Sequence, residues 1–400
     1  MRNLSPNQLL NQFADFIISK NVIFFYLIAY LFFSVLSTFK FYEALSLVKP
    51  HLSFFVVRDL LFFVILGTIF IKYADRSYKL VSIFLLLCLT IHCCILREGL
   101  DAYTVLGLKN FIPVVFFFSL VSKKKLNFDI DWLKFVKVTI LFNLGLQIIH
   151  LFLGYGYYAL ILKSINARNP GMIFYPAAAS LFVLTLFLIY LRKSAKLELI
   201  WVALFTASTI LCASFTGVAG LVFIYLFKIF PRYRITPKVM ALAGASLTLV
   251  LLVLHLSRSS MGGATYYTET TSVRLQILTK VFLEMSWLPT QFGFYTNAAA
   301  QYFSGRSTDS FYAGFFGNLG IIWSALFIAL FVYSVYKNHS KRLDFLILFL
   351  ICSFAMNVPE TGISMFLMVL FNFEQPEQDA VLEKKSYSKI VTSNRPSYEL

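Results

Sequence analysis

The stretch LIWVALFTASTILCASFTGVAGLVFIYLFKIF, residues 199–230, decides the fold. It has no charged side chain before Lys228, so it reads as helix embedded in a membrane. A spanning helix takes roughly 20 apolar residues, which makes this run too long for one ordinary span and short for two. Its middle, ASFTG at 213–217, holds Ser214, Thr216 and Gly217, residue types that interrupt a helix. Read as two short helices, the stretch leaves the membrane on the side from which it entered.

Charge supports the hairpin. Spans then lie near 21–39, 52–71, 80–96, 105–122, 135–154, 173–191, 199–213, 215–230, 239–256, 311–336, 343–357 and 361–373. With a cytoplasmic start, 24 of the 35 basic residues fall inside, in line with the positive-inside rule. A single span at 199–230 would flip every later loop and erase the asymmetry in that half. The stretch 343–373 behaves like 199–230, with its break at NVPETG. The expected fold is all-α, a polytopic membrane protein with about 12 transmembrane helices and one large extracytoplasmic loop.

Composition agrees: 59% of the 400 residues are hydrophobic and 14% charged, which no soluble domain combines. Segments of alternating hydrophobicity, the mark of a membrane β-barrel, are absent. The +16 charge sits in inner loops and so speaks for topology rather than for nucleic acid. All five cysteines lie in apolar segments, without disulfide or metal spacing, and the histidines form no ligand set. No phosphate-binding glycine loop is present. The chain divides into spans 1–9 over residues 1–256, an outer loop at 257–310, spans 10–12 over 311–373 and a polar cytoplasmic tail at 374–400.

Within the outer loop, SVRLQILTKVFLEM (272–285) has helical periodicity. Ser272, Gln276, Thr279, Lys280 and Glu284 share a polar face, while Ile277, Leu278, Val281, Phe282 and Met285 form an apolar one. Arg274 falls in the apolar stripe, so it points from the first turn at the membrane body. A guanidinium there needs an anion, either a carboxylate or a phosphate. Other outer cations are Arg168 beside the Asn169-Pro170-Gly171 turn, Arg258, and Arg306 near Asp309. Lys40, Lys49, Lys163 and Lys280 read as solvated loop charges. Arg58 adjoins Asp59, but neighbours on a helix are not expected to face each other, and it reads equally as a snorkelling arginine or a site residue. Among outer carboxylates that could serve as a base, Glu360 stands out, because it lies at the NVPETG break.

Four patterns, in order, resemble those of the O-antigen polymerase and ligase superfamily, membrane glycosyltransferases of the GT-C class. They are RNPGMIFYPA (168–177), LCASFTGVAGLVFIYL (211–226), SVRLQILTKVFLEMSWLPTQFGFY (272–295) and TDSFYAGFFGNLGIIW (308–323). The resemblance implies a periplasmic loop in a bacterial cell inner membrane, with both termini cytoplasmic. It implies transfer of a glycan from undecaprenyl diphosphate to the next lipid-linked repeat, with no metal and no cofactor. Arg274 and Arg168 match the arginines thought to hold the diphosphate, and Arg306 and Arg258 are further candidates. Relatives carry an acidic residue before the proline of the first pattern, where this chain has Tyr175-Pro176, so the base is sought at Glu360 or Asp309. Ligases have a histidine late in the loop, and residues 257–311 contain none, which favours a polymerase over a ligase acting on lipid A-core. Tyr266, Tyr267, Trp287, Tyr295 and Tyr302 are candidates for stacking on sugar rings, or for interface anchoring. Partners would be the lipid-linked oligosaccharide and membrane lipid, with room for a chain-length regulator and none for nucleic acid. A lipid-oligosaccharide flippase is the rival of another class, although the lopsided loop plan lacks its repeated halves.

Overall fold

The computed structural model describes residues 6–38, 52–96, 102–120, 128–153, 171–173, 176–212, 214–233, 275–289, 310–337, 343–354 and 356–374. These are helical, without a strand among the described residues. In chain order the helices are α1 (Pro6–Ile17), α2 (Lys20–Thr38), α3 (Leu52–Tyr73), α4 (Arg76–Leu96), α5 (Ala102–Phe117), α6 (Trp132–Leu153) and α7 (Pro176–Lys193). Then come α8 (Leu199–Leu211), α9 (Phe215–Ile224), α10 (275–284), α11 (Phe311–Lys337), α12 (Leu343–Ser353) and α13 (Ile363–Phe373).

Three of the described helices are long and apolar enough to cross a membrane, at Arg76–Leu96, Trp132–His150 and Phe311–Lys337. A fourth crossing is reached if Gln8–Ile17 and Lys20–Val35, bent by 40°, count as one span. The burial pattern is that of a membrane bundle. On α4, Leu80, Phe84, Leu87, Ile91 and Ile95 all face outward, the position of lipid-facing side chains. The centre is α7, apolar on every side, with Leu181 through Leu184 and Leu186 through Tyr190 fully buried. It is wrapped by α6, α8, α9, α12 and α13.

The 199–230 stretch is interrupted where ASFTG stands: α8 ends at Leu211 and α9 begins at Phe215. Its two arms return to one end of the bundle. Glu198, just before α8, receives the Lys137 ammonium at 3.3 Å, and its backbone N–H donates to the Tyr190 hydroxyl near the end of α7. Lys228, in the π-helical turn Tyr225–Ile229 that continues α9, lies 3.3 Å from the Asp344 carboxylate, which also takes the Arg192 guanidinium. Between the arms the Thr206 and Tyr225 hydroxyls are bonded at 2.7 Å.

The second interrupted stretch is built alike. Helices α12 and α13 have 11 residues each, about 16 Å of rise, half of a hydrocarbon core. A single 3₁₀ turn, Val358–Thr361, joins them. Asp344 at the root of α12 is held by Arg192, and Glu374 at the root of α13 by Lys193 at 3.2 Å, so successive residues of α7 grip both ends of the hairpin. Lys20–Asp129 and Lys72–Asp15 lie at this same end, called here the basic end.

Two features depart from the sequence reading. The chain ahead of Val22, read as a polar start, forms α1, whose Leu9, Leu10, Phe13 and Phe16 are exposed along one face, an interfacial pattern. The span read over 311–336 is broken at Gly320, with φ 69° and ψ 179°. The reason is tertiary and lies in the site below. The span at 239–256, most of 257–310 and the tail beyond Glu374 lie outside the described residues.

Candidate functional site

The apolar face of α10 rests on the first arm of α11. Ile277, Leu278 and Val281 are buried against Tyr312, Ala313 and Phe316, and the Phe282 and Phe316 rings meet at 4.9 Å. Gln276, Thr279 and Glu284 are exposed, with Lys280 and Glu284 paired at 4.0 Å across one turn. Burial of one stripe and solvation of the other orient the helix.

The chain after α10 then enters the break in α11. The Ser286 carbonyl accepts the Ile321 N–H at 2.9 Å, and the Trp287 carbonyl accepts that of Ile322 at 3.2 Å. Breaking a helix at Gly320 frees N–H groups that lipid cannot satisfy, and these two carbonyls satisfy them. The conformation at Gly320 is one only glycine adopts without strain, and an added Cβ would lie 2.6 Å from the Leu288 oxygen. The Trp287 side chain itself is exposed.

At its other end the first arm of α11 meets the α12–α13 hairpin. The Phe311 N–H donates to the Met356 carbonyl at 3.3 Å, the Ser310 hydroxyl to the Ser353 carbonyl at 3.3 Å, and the Tyr312 hydroxyl to the Leu350 carbonyl at 2.8 Å. The backbone turn bearing Glu360 therefore adjoins the start of α11. An apolar groove of about 420 Å³ runs between α11 and α12, from Phe311 and Tyr312 along Phe331 and Phe349 to Tyr336 and Leu346.

A second junction is polar. Asn143 on α6 donates to the Ser208 hydroxyl on α8 at 2.9 Å, and that hydroxyl donates to Gln147 at 2.8 Å. Gln147 returns bonds to the Ser208 carbonyl at 2.9 Å and to the Cys212 sulfur at 3.3 Å. Asn143 also accepts the Met172 N–H at 2.8 Å, so its side chain links Met172 to Ser208 of α8. Asn143 and Gln147 of α6 thus stand between Met172 and the end of α8, while 275–289 packs on the opening of α11.

One polar group carries more than its sequence context suggests. Arg58 does face Asp59: its Nε and Nη2 bond Asp59 Oδ1 at 3.0 and 2.8 Å. The rule for helical neighbours fails here because the guanidinium folds back along its own stem, while Lys109 from α5 closes on the same carboxylate. The Arg58 carbon lies 5.0 Å over the Tyr30 ring. Only a third group on another helix reveals this arrangement, and no spacing rule supplies it.

Arg168, Arg258, Arg274, Arg306, Asp309, Tyr266, Tyr267, Tyr295 and Tyr302 lie outside the described residues, and of Glu360 the backbone alone is described. Among the described residues no group of three His, Cys, Asp or Glu side chains could hold a metal ion. Comparison of the chain with protein-family models, with curated proteins and with solved structures finds no match.

Proposed function

We propose that the chain is a polysaccharide polymerase of a bacterial inner membrane, a glycosyltransferase that joins undecaprenyl-diphosphate-linked repeat units on the periplasmic side. About twelve spans, a periplasmic loop at 257–310 and cytoplasmic termini belong to this reading. The observation that carries it is the packing of 275–289 into the Gly320 break, with the Glu360 turn against the same half-helix. The helical stretch 275–284, which follows Arg274 in the chain, is seated on the first arm of α11. The apolar groove between α11 and α12 adds room for a lipid chain.

In this mechanism a sugar hydroxyl of the acceptor attacks the anomeric carbon of the donor glycan. The new glycosidic C–O bond forms as the bond from that carbon to the diphosphate oxygen breaks. Arg274 and Arg168 neutralise the leaving lipid diphosphate, with Arg306 and Arg258 near it, and the hydroxyl proton passes to Glu360 or Asp309. Energy comes from the activated diphosphate ester, so no nucleotide is consumed.

The test is direct. Purified protein in detergent is given a synthetic lipid-linked repeat, and products are separated by size. A ladder of longer glycans supports a polymerase. Transfer only to lipid A-core means a ligase, and unchanged substrate that crosses a vesicle wall means a flippase; either result removes the proposal.

A further inference from the structure

Helix α1 carries its apolar side chains on the outside of the molecule. At about 100° per residue Leu9, Leu10, Phe13 and Phe16 share one side, while Asn11 and Asp15 stand opposite. All four apolar side chains are more than half exposed, Leu10 at 69% and Phe16 at 65%. Only the C-terminal end of the helix joins the core, where Ile17 is buried together with Ile18 just beyond it.

Charge sets the level at which α1 stands. Asp15 pairs with Lys72 near the end of α3, and Lys20, at the start of α2, pairs with Asp129 ahead of α6 at 3.3 Å. Charged groups gather where the hydrocarbon ends, so the boundary at the basic end passes near residues 15–20. From there α2, with 19 residues and about 28 Å of rise, fills the hydrocarbon core by itself. Helix α1, turned 40° from α2, therefore leaves the core and slants through the headgroup layer. Beyond the bend the next exposed apolar side chains are Phe24, Phe25 and Ile28, on the lipid side of α2.

The helix offers little to a charged partner. Between Pro6 and Ile17 the only charged residue is Asp15, whose carboxylate is taken by Lys72, and the rest of the polar side is Asn and Gln. Surface helices of membranes commonly carry Lys and Arg on the polar side and draw on anionic lipid; α1 has neither.

We infer that α1 is a membrane-surface anchor whose Leu9, Leu10, Phe13 and Phe16 enter the leaflet at the basic end, held by acyl chains rather than by headgroup charge. Through the Asp15–Lys72 pair and the burial of Ile17, the anchor fixes the height at which α2 and α3 stand in the bilayer. It does not rest on the proposed function.

Tryptophan quenching in full-length protein tests it. Phe16→Trp and Asn11→Trp are made singly at exposed positions, the protein is placed in lipid nanodiscs, and the wild-type fluorescence is subtracted. The lipid is phosphatidylcholine with brominated acyl chains, alone or mixed equally with phosphatidylglycerol brominated in the same way. Bromine is expected to remove most of the added emission of Phe16→Trp and a small part of that of Asn11→Trp, equally in both lipids. Quenching that requires phosphatidylglycerol makes headgroup charge the attraction and overturns the inference. Equal quenching of the two variants overturns it as well. So does a Phe16→Trp signal that bromine leaves untouched. If that protein also holds two copies in a nanodisc and Phe13→Asp reduces them to one, the face is a contact between copies.

Discussion

Ile321 donates its backbone N–H to the Ser286 carbonyl at 2.9 Å, and this bond joins the amphipathic segment to a break inside the longest described helix. The partnership makes the glycine between the two arms a control point. Gly320→Ala puts a Cβ 2.6 Å from the Leu288 oxygen in a conformation only glycine tolerates. The strain alone is about 1–3 kcal/mol. The variant is expected to lower the melting temperature in detergent and to raise protease sensitivity around 286–288. Unchanged melting and cleavage would show that the docking is not needed for the fold.

Asp344 is expected to be the most sensitive charged position among the described residues. It is 5% exposed and takes both the Arg192 guanidinium and the Lys228 ammonium. Removing it leaves two cations facing each other, so Asp344→Ala should cost about 3–5 kcal/mol. Lys228→Ala, at a side chain 37% exposed, should cost far less. Thermal unfolding of the two variants in one detergent gives the comparison, and equal losses would contradict it.

Asn143→Ala removes the acceptor of the Met172 N–H and the donor to Ser208 together. Each orphaned group in the bundle is worth about 0.6–2 kcal/mol. The expected result is a destabilised protein in which 171–173 exchanges amide hydrogen faster while α12 and α13 keep their protection. Hydrogen exchange with mass spectrometry reads both regions at once.

The chemistry proposed for the outer face gives two kinetic expectations. Arg274→Ala should slow chain growth about 10²–10³-fold at saturating substrate, the usual loss for one contact to a developing charge. Glu360→Gln should slow it about 10²–10⁴-fold while the protein stays in the membrane at normal level. A wild-type ladder from either variant removes that residue from its role.

The all-helical, apolar class of the fold is legible because membrane helices are read from apolar length and from where charge is forbidden; of the twelve spans expected, the described helices include three or four long and apolar enough to cross a membrane. The interruptions near Ser214 and at NVPETG show in the sequence for the same reason: polar and helix-breaking residues stand inside runs that are otherwise apolar. The Gly320 break is not legible. Gly317, three residues earlier in GFFGNLG, looks equivalent in sequence, and the break falls where the Ser286 and Trp287 carbonyls arrive. Helix α1 escapes a search for apolar runs because Asn and Gln dilute Leu9, Leu10, Phe13 and Phe16, although the spacing of those four carries the signal. The Arg58–Asp59 contact is hidden by a rule about backbone geometry that long, foldable side chains and a second helix override. Of the candidate site, the α10 stripe follows in part from helical period: Ile277, Leu278 and Val281 are buried as expected, Met285 is half-buried, and Phe282 is exposed.

Arg192 and Lys193 hold the two feet of the α12–α13 hairpin to adjacent positions on one rigid, fully enclosed helix. Such a hairpin is clamped at both extremes: its feet keep their spacing on α7, and near its tip the Met356 carbonyl is tied to the Phe311 N–H of α11.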